Sequence, residues 1–410
     1  MSKPPTSSRV AVVGGGPVGL TTALLLARVG IPTTLVAPPV GGTLDRRTAA
    51  LFSGSVTLLR NLEVWEGIER TAAAIRGIRI IDGRGSLLRA PETLFTAEDH
   101  GVAEFGFNVP NASLTARLSE AVEAQANLTV VPATVSSISL TEQGSTLRLA
   151  DGRDVTAAIC IGADGRKSLV RAAAGIEART WQYPQAAVVA TFEHQRPHRG
   201  VSTEFHRRHG PLTTVPMPGT ASSLVWVDAP EKAEQLAGLT DDDFRTALEA
   251  ELCGLLGIVG EIGPRGMFAL SGMSASVLGH GRVALVGEAA HVIPPIGAQG
   301  LNLGLRDAAV LAECLAQDFG VGGVARYAAA RAPDVGTRIT AIDSLNRSLL
   351  SDLLPTHLLR GAGLFALKSV PALRRIVVQE GLQPSGEIPL VMRPGGLERL
   401  SPQPGEGHRA

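Results

Sequence analysis

The chain has 410 residues with 38 basic and 38 acidic side chains, so its formal net charge is zero. At roughly 150 residues per domain the length suggests two or three lobes. Apolar residues make up 44% and charged ones 19%, which allows a sizeable core and excludes wholesale disorder. The balanced charge removes the electrostatic argument for a nucleic-acid partner, which would call for a basic excess. Gly is abundant at 47 against 10 Phe, 3 Trp and 2 Tyr, a composition that suits a backbone closely approaching a large flat cofactor.

Cys160, Cys253 and Cys314 stand far apart without a CxxC pair. They give neither a disulfide framework nor a zinc signature, and each reads as a small buried hydrophobe in a reducing cytoplasm. The N-terminal apolar stretch is broken by Gly14, Gly15 and Gly16 and then by Arg28. No run reaches the 18 or so uncharged apolar residues of a membrane span, so the expectation is a soluble protein without a cleaved segment.

Taken in chain order, residues 9–13 (RVAVV) form a β-branched run ending in GGGPVG, residues 18–29 read as an Ala- and Leu-rich helix, and 33–37 (TTLVA) as the next strand. This is a βαβ opening with its glycines at the strand-to-helix turn. Residues 110–126 look like an amphipathic helix with Leu114, Leu118, Ala121 and Val122 on one face. Strand-like runs follow at 128–139, 145–149 and 155–161. From 181 to 275, alternating stretches separated by Pro and Gly read as an antiparallel sheet, interrupted by one helix that begins with Asp241 to Asp243. The βα signature returns at 282–286 (RVALV) with a helix over about 300–317. From Pro384 onward, five Pro and five Gly predict a loose tail.

Three motifs carry the chemistry. In Gly14-x-Gly16-x-x-Gly19, Gly14 permits the tight turn, Gly16 lets the backbone approach a pyrophosphate, and Gly19 allows close helix–strand packing. Pro17 and Val18 lie in the turn between them, and the helix N-terminus offers free N–H groups to phosphate. The acidic residue that usually ends the second strand and binds the ribose is replaced by Ala37. The second motif is GADGRKSLVR (162–171), with Asp164 and Gly165 where a chain leaving a strand can meet a ribityl or pyrophosphate group. The third is ALVGEAAHVIPPIGAQGLNLGLRDA (284–308), a loop leading into a helix whose positive end can stabilise a reduced flavin.

In this order the three motifs resemble the class A flavoprotein monooxygenases. Residues 45–65, 302–315 and 345–382 further resemble the ubiquinone-biosynthesis hydroxylase family, and the likeness spans about residues 9–390. It implies an α/β fold: a Rossmann-type FAD-binding domain like that of para-hydroxybenzoate hydroxylase, with an inserted antiparallel-sheet substrate domain and a C-terminal helical segment. The expected division is 9–75, 111–180 and 276–345 for the FAD-binding domain, 76–110 and 181–275 for the substrate domain, 346–383 for C-terminal helices and 384–410 for the flexible tail.

Carried over residue by residue, the resemblance implies Gly14, Gly16 and Gly19 at the FAD pyrophosphate and Arg47 reaching the cofactor from the loop after the second strand. Asp164 takes the place of an aspartate associated with FAD and nicotinamide use. Glu288, after Gly287, stands where the family has an Asp on the ribityl chain, and Pro295, Gly297, Gln299, Gly300, Leu301 and Asn302 form the loop under the isoalloxazine ring. The implied cofactors are FAD, NAD(P)H or another electron donor, and O2 as cosubstrate. The implied partners are a lipid-tailed phenol, a membrane surface and other quinone-biosynthesis proteins.

No catalytic acid or base is named by the sequence, which suits an enzyme whose oxygen chemistry is done by the flavin. His291 reads as a packing or loop-bracing residue ahead of a catalytic one. His206 and His209, with Arg207 and Arg208, fit either a phenol site or a solvated basic turn. Residues 347–375 carry five basic residues and one acidic one among leucines, a pattern that fits an anionic membrane surface or a pair of core-packed helices. The expectation is therefore an FAD-dependent hydroxylase of a polyprenylated phenol in ubiquinone biosynthesis. Its rivals are a hydroxylase of a soluble aromatic compound, a flavin-dependent isoprenoid saturase and a non-catalytic flavin- or lipid-binding subunit.

Overall fold

The computed structural model describes residues 6–38, 45, 47–83, 92–350 and 387–400. Its first sheet is built around Thr6–Val13, an eight-residue strand with Val10, Ala11 and Val12 wholly buried. Such a run, apolar on both faces, belongs in the middle of a parallel sheet covered by helices. It pairs in parallel with Thr33–Ala37 on one side and with Asp154–Gly162 on the other. Leu128–Pro132 continues the sheet beyond Thr33–Ala37, and Val283–Leu285 continues it beyond Asp154–Gly162. The chain therefore leaves its first strand in one direction and returns on the opposite side. That is the switch point at which open α/β sheets bind ligands, outside the carboxyl ends of their strands.

The run expected as one strand over 128–139 divides into Leu128–Pro132 and Val135–Leu140. The second piece leaves the parallel sheet and pairs antiparallel with Ser145–Leu149.

Among the described residues the second sheet has nine strands and is antiparallel apart from one parallel pair, Val201–Arg207 with Gly77–Asp82. Its spine is Ala178–His194, flanked by Gly266–Ala275 and Ala221–Asp228. One face is sealed by the helices Pro230–Gly238 and Asp241–Leu252 through Val188, Phe192, Leu224, Trp226, Phe244 and Leu248. The opposite face carries Tyr183, Ala187, Val227 and Leu270, with Trp181, Val225 and Phe268 only partly covered. Gly77–Asp82 and Thr93–Thr96 extend this sheet, but Gly106–Pro110 does not. It pairs instead with Thr48–Phe52 and Ala73–Ile75 in a separate three-stranded sheet, so residues 76–110 are shared between two sheets.

The helix Gln299–Gln317 packs against the first helix, Pro17–Arg28, and against Val321–Leu350. This last helix runs unbroken to residue 350, so residues 346–350 are its end and not the start of a separate helical segment; residues 351–386, with most of the basic stretch, lie outside the described residues. The expected loose tail needs correction over 387–400. Val391 is wholly buried and Met392 and Leu397 nearly so. Asn61 Nδ2 donates to the carbonyls of Val391 (2.7 Å) and Arg393 (2.8 Å), and Glu313 accepts from Val391 N at 2.9 Å. Proline and glycine here shape a short docked segment whose apolar side chains complete the core.

A docked segment has a measurable consequence. Met392→Ala is expected to lower stability by about 2 kcal/mol or more in urea unfolding, the cost of a cavity at a buried methionine; a segment that did not pack would show no change.

Candidate active site

The three glycine-bearing motifs leave three neighbouring parallel strands at the same end. Gly14 N donates to Val36 O (2.9 Å), Ala163 N to Val13 O (2.8 Å) and Val286 N to Gly162 O (2.9 Å), so sheet pairing carries each motif to the same edge. The sequence separates these motifs by more than a hundred residues, and the topology brings them together.

The glycines of the first motif differ in what they do. A Cβ on Gly14 would lie 2.2 Å from Ala163 O, and Gly14 has φ of 121°. One on Gly19 would lie 2.0 Å from Gly14 O. Both are demanded by the protein's own packing. At Gly16 a Cβ would meet nothing within 4 Å. That open space lies at the N-terminus of a twelve-residue helix with no side-chain cap and Pro17 in its first turn, an arrangement suited to a phosphate. Val18 packs onto the third motif, since Cβ atoms built on Gly287 and Gly304 would approach its side chain to 3.2 and 2.7 Å. Ala37 offers no side-chain acceptor, and its Cβ stands 2.8 Å from where a Cβ on Gly15 would be.

Asp164 is divided between two tasks. Its Oδ2 accepts from Leu169 N (2.7 Å) and Val170 N (3.2 Å), capping the short helix Leu169–Ala173, while its buried Oδ1 has no partner in the protein. The orphan oxygen can receive a hydrogen bond from a cofactor. Arg171, of the same motif, donates to Ala289 O at 2.8 Å and so ties the second motif to the third.

Arg47 forms a two-pronged pair with Asp45 (Nε–Oδ1 2.9 Å, Nη2–Oδ2 2.8 Å). The hydrogen bonds that Arg47 donates to Asp45, aided by the charges of Asp45 and Glu288, raise the Arg47 pKa further against partial burial. Asp45 is held down at about 2: burial pushes it up, but hydrogen bonds from Arg47 and Asn111 prevail. Glu288 itself is exposed, on the short turn Gly287–Ala289.

In the third motif Pro295, Gly297 and Gly300 are exposed and Leu301 is half-buried. Gly297 and Ala298 both adopt left-handed conformations, with φ of 66° and 54°. Ala298 is the cap of Gln299–Gln317 and has no side chain to satisfy the first N–H groups. A non-glycine residue held there is a strained position at the mouth of the cleft. Asn302 has its side chain fully engaged within the protein. It donates to Ala50 O (2.8 Å) and Ala298 O (2.7 Å) and accepts from Phe52 N (2.9 Å) and Ser55 Oγ (2.8 Å). It fastens the helix Gln299–Gln317 to the segment after Arg47, which leaves only its main chain free to meet a cofactor. Gln299 donates to Gly297 O at 3.1 Å and bonds Arg338.

His291 is buried, 2.6 Å from Asp307, which also accepts from Gly287 N (3.0 Å) and Arg331 Nε (2.8 Å). It braces the loop, as its sequence context suggests. Asp307, wholly inaccessible, is lowered below the usual carboxylate range: burial opposes this, but the charges of His291 and Arg331 prevail. Asp307, Arg331 and Asp334 were not singled out by sequence reasoning, although the Arg-x-x-Asp spacing at 331–334 on a helix is a visible ion-pair signal. His206 pairs with Glu204 (2.7 Å) and Arg207 with Asp228 (3.1 Å) and Glu251 (3.2 Å). His206 and Arg207 are thus held by carboxylates and covered, whereas Arg208 and His209 are exposed.

A family described as FAD binding domain matches residues 7–333. The ubiquinone hydroxylase UbiL of Rhodospirillum rubrum is 34% identical over 406 residues, covering 96% of this chain and 93% of that protein. The chain belongs to the FAD-dependent monooxygenases of the ubiquinone-hydroxylase family. The 3-demethoxyubiquinol 3-hydroxylase of Escherichia coli is 30% identical, covering 93% of this chain and all (100%) of that one. Among solved structures, p-nitrophenol 4-monooxygenase PnpA of Pseudomonas putida superposes with a TM-score of 0.77 at 18% identity, over 94% of this chain and 100% of that one, which shows the shared fold. The open space at Gly16, the orphan Asp164 oxygen and two uncapped helix ends fit FAD.

Two expectations follow for the hydroxylase. Gly16→Val should fold but purify without FAD, read from the flavin absorbance and the circular dichroism of the same sample. Gly19→Ala should lose the fold itself, because its methyl group would collide with backbone.

Asp307→Asn is expected to cost about 3 kcal/mol in chemical unfolding, as it leaves the buried Arg331 with only Asp334 as a carboxylate partner among the described residues. Asp45 and Asp307 both have lowered folded pKa values, so their stabilisation is complete above the unfolded value of 3.8 and is lost as pH falls through the folded one. Stability should therefore decline from about pH 4 toward pH 2, less steeply in Asp45→Asn.

Proposed function

We propose that this monooxygenase hydroxylates the aromatic ring of a lipid-tailed phenol on the route to ubiquinone. The observation that carries this reading is the second face of the nine-stranded sheet. Val225, Val227, Phe268, Leu270 and Tyr183 share it, and two contacts bind it to the cofactor-bearing half. Thr48 Oγ1, one residue after Arg47, lies 2.9 Å from Ser223 Oγ, and Met273 of the sheet pairs with Val292 of the third motif. This face is mainly apolar, bordered by Asp343 at Tyr183 and by Arg179 over Trp181, and it suits an aromatic ring and tail. The names of the two curated relatives support the same substrate class.

FAD, when bound, supplies the redox chemistry with O2 as cosubstrate and NAD(P)H as the usual donor of these monooxygenases. The chain's own residues hold and enclose it. The turn at Gly14, Gly16, Pro17, Val18 and Gly19 takes the pyrophosphate, and Asp164 Oδ1 accepts from the cofactor. Arg47, Gly287 and Glu288 border the cleft. The main-chain N–H groups at Gly300, Leu301 and Asn302 present a positive helix end to charge on the reduced ring, with Pro295, Gly297 and Gln299 shaping the turn before it. Val225 and Phe268, partly exposed members of that sheet face, exclude water from the reacting ring, which protects the oxidant from wasteful breakdown.

Among the described residues no helix is long and apolar enough to cross a membrane. Collection of the substrate at a bilayer surface is assigned to residues 347–375, where each basic residue near anionic lipid contributes about 1 kcal/mol. The experiment pairs a long-tailed phenol in anionic vesicles with a short-tailed soluble analogue, following product by mass spectrometry and oxygen uptake. Ring hydroxylation of both by wild type is expected. Replacing Arg360, Lys368, Arg374 and Arg375 by Gln should depress only the long-tailed reaction. Absence of any hydroxylated phenol would overturn the function, and equal loss on both substrates would overturn the membrane role.

A further inference from the structure

A cavity of about 220 Å³ lies where the start of the helix Ser53–Asn61 meets Gln299–Gln317, Val321–Leu350 and the C-terminal segment. No residue of the first two motifs, and none from 287 to 298, lines it. Three guanidinium groups from three different elements reach it, Arg306, Arg338 and Arg393, and no carboxylate is among its described lining residues. Arg306 and Arg338 are largely enclosed, with side-chain exposures of 14% and 12%.

The positive charge here is compensated in part: Arg338 pairs with Asp334 at 2.9 Å and Arg393 with Glu387 at 3.4 Å, which leaves Arg306 the least satisfied of the three. Asp334 is shared by Arg331, Arg338 and Arg306, and it lies 3.7 Å from Arg306, beyond hydrogen-bond distance. Arg306 makes no hydrogen bond to any described residue. Burial, with Arg331 and Arg338 beside it, holds its pKa down at about 10. A guanidinium taken out of water without hydrogen bonds is costly, and its planar fork matches a phosphate or carboxylate. The hydroxyls of Ser53 and Thr57 line the same space. They stand in the first turns of a helix that has no side-chain cap, which adds a positive dipole end.

We propose that this cavity binds a small oxyanion, the phosphate or carboxylate group of a soluble molecule, at a site separate from the flavin. Its occupant reaches the flavin loop through protein. Arg338 bonds Gln299, the first residue of the loop helix, and Asn302 touches both the cavity and the Ala50 carbonyl. Binding is therefore coupled to the geometry of the loop under the cofactor, and the coupling is reciprocal.

The test uses FAD-loaded enzyme titrated with inorganic phosphate, with succinate and with chloride at one ionic strength, reading the thermal midpoint and the flavin absorbance spectrum. Phosphate or succinate should raise the midpoint saturably and perturb the flavin band, whereas chloride should not; the tighter of the two identifies the head group. Arg306→Gln should weaken binding by roughly tenfold or more, since a hydrogen bond to a charged group is lost. Arg393→Gln, at the exposed mouth and outside the Asp334 cluster, should weaken it with FAD content unchanged, which keeps the test open if Arg306→Gln fails to fold. A non-saturating response shared with chloride, or unchanged affinity in Arg393→Gln, would overturn the site.

Discussion

The carboxylate of Asp307 is the constraint on which the cofactor half depends. It is wholly buried, and it joins Gly287 at the end of one strand, His291 in the loop, and Arg331 on a helix 24 residues further along. A charge taken out of water costs several kcal/mol unless neighbouring groups replace the lost solvation. Here three donors do so, and each belongs to a different part of the third motif or its support. The same requirement that keeps Asp307 ionised therefore fixes where the loop starts, how it turns and which helix lies behind it. From Arg331 the linkage continues through Asp334 and Arg338 to Gln299, so the helix Gln299–Gln317 is tied at its first residue and again at Asp307.

What could be read in the sequence was whatever the backbone alone dictates. Gly14 and Gly19 announce a turn because no other residue fits against Ala163 and Gly14, and the β-branched runs at 9–13, 33–37 and 155–161 show a parallel sheet because both of their faces are apolar. Side-chain destinations were less visible. Asn302 sits in a recognisable loop, yet nothing local shows that its four hydrogen bonds go to Ala50, Ala298, Phe52 and Ser55. Asp164 sits at the strand end where a cofactor group is expected, yet one of its oxygens is spent on a helix cap. The tail was misread because its Pro and Gly content outweighed the apolar series Ile388, Leu390, Val391 and Met392. Only the groove between Ser53–Asn61 and Gln299–Gln317 shows what that series is for.

The two sheets divide the work by their polarity. The parallel sheet ends in N–H-rich turns with two uncapped helix termini, which suits phosphates and a charged ring but would leave an apolar tail exposed to water. The second sheet offers Val225, Val227, Phe268 and Leu270, which suits the tail but could not hold a pyrophosphate. Neither surface can do both tasks, so the chain must thread repeatedly between them. The three-stranded sheet of residues 48–52, 73–75 and 106–110 is the seam: Asn108 donates to Pro216 O at 2.9 Å and Ser223 Oγ at 3.1 Å, and Thr48 meets Ser223 as well.

This division also explains why a hydroxylase can be built without an obvious acid or base. On that face of the second sheet the polar groups are already committed to partners, the Asp343 carboxylate included, which Tyr183 and Arg347 both engage. Tyr183 accepts from Trp181 at 2.6 Å and donates to Asp343 at 2.7 Å, and burial, the first cause, pushes its pKa to about 12. Gln185 is fixed between Asn346 and the His209 carbonyl. A phenol held at neutral pH by such a surface finds no proton acceptor of matching strength among these groups. The enzyme's contribution is then orientation and dryness, supplied by packing, while the electrons and oxygen chemistry belong to the cofactor. In the proposed placement, selectivity for the ring carbon would come from where the wall of Val225 and Phe268, partly exposed members of this face, stops the ring. A single enlargement of that wall should move the oxidised position more readily than it lowers the rate.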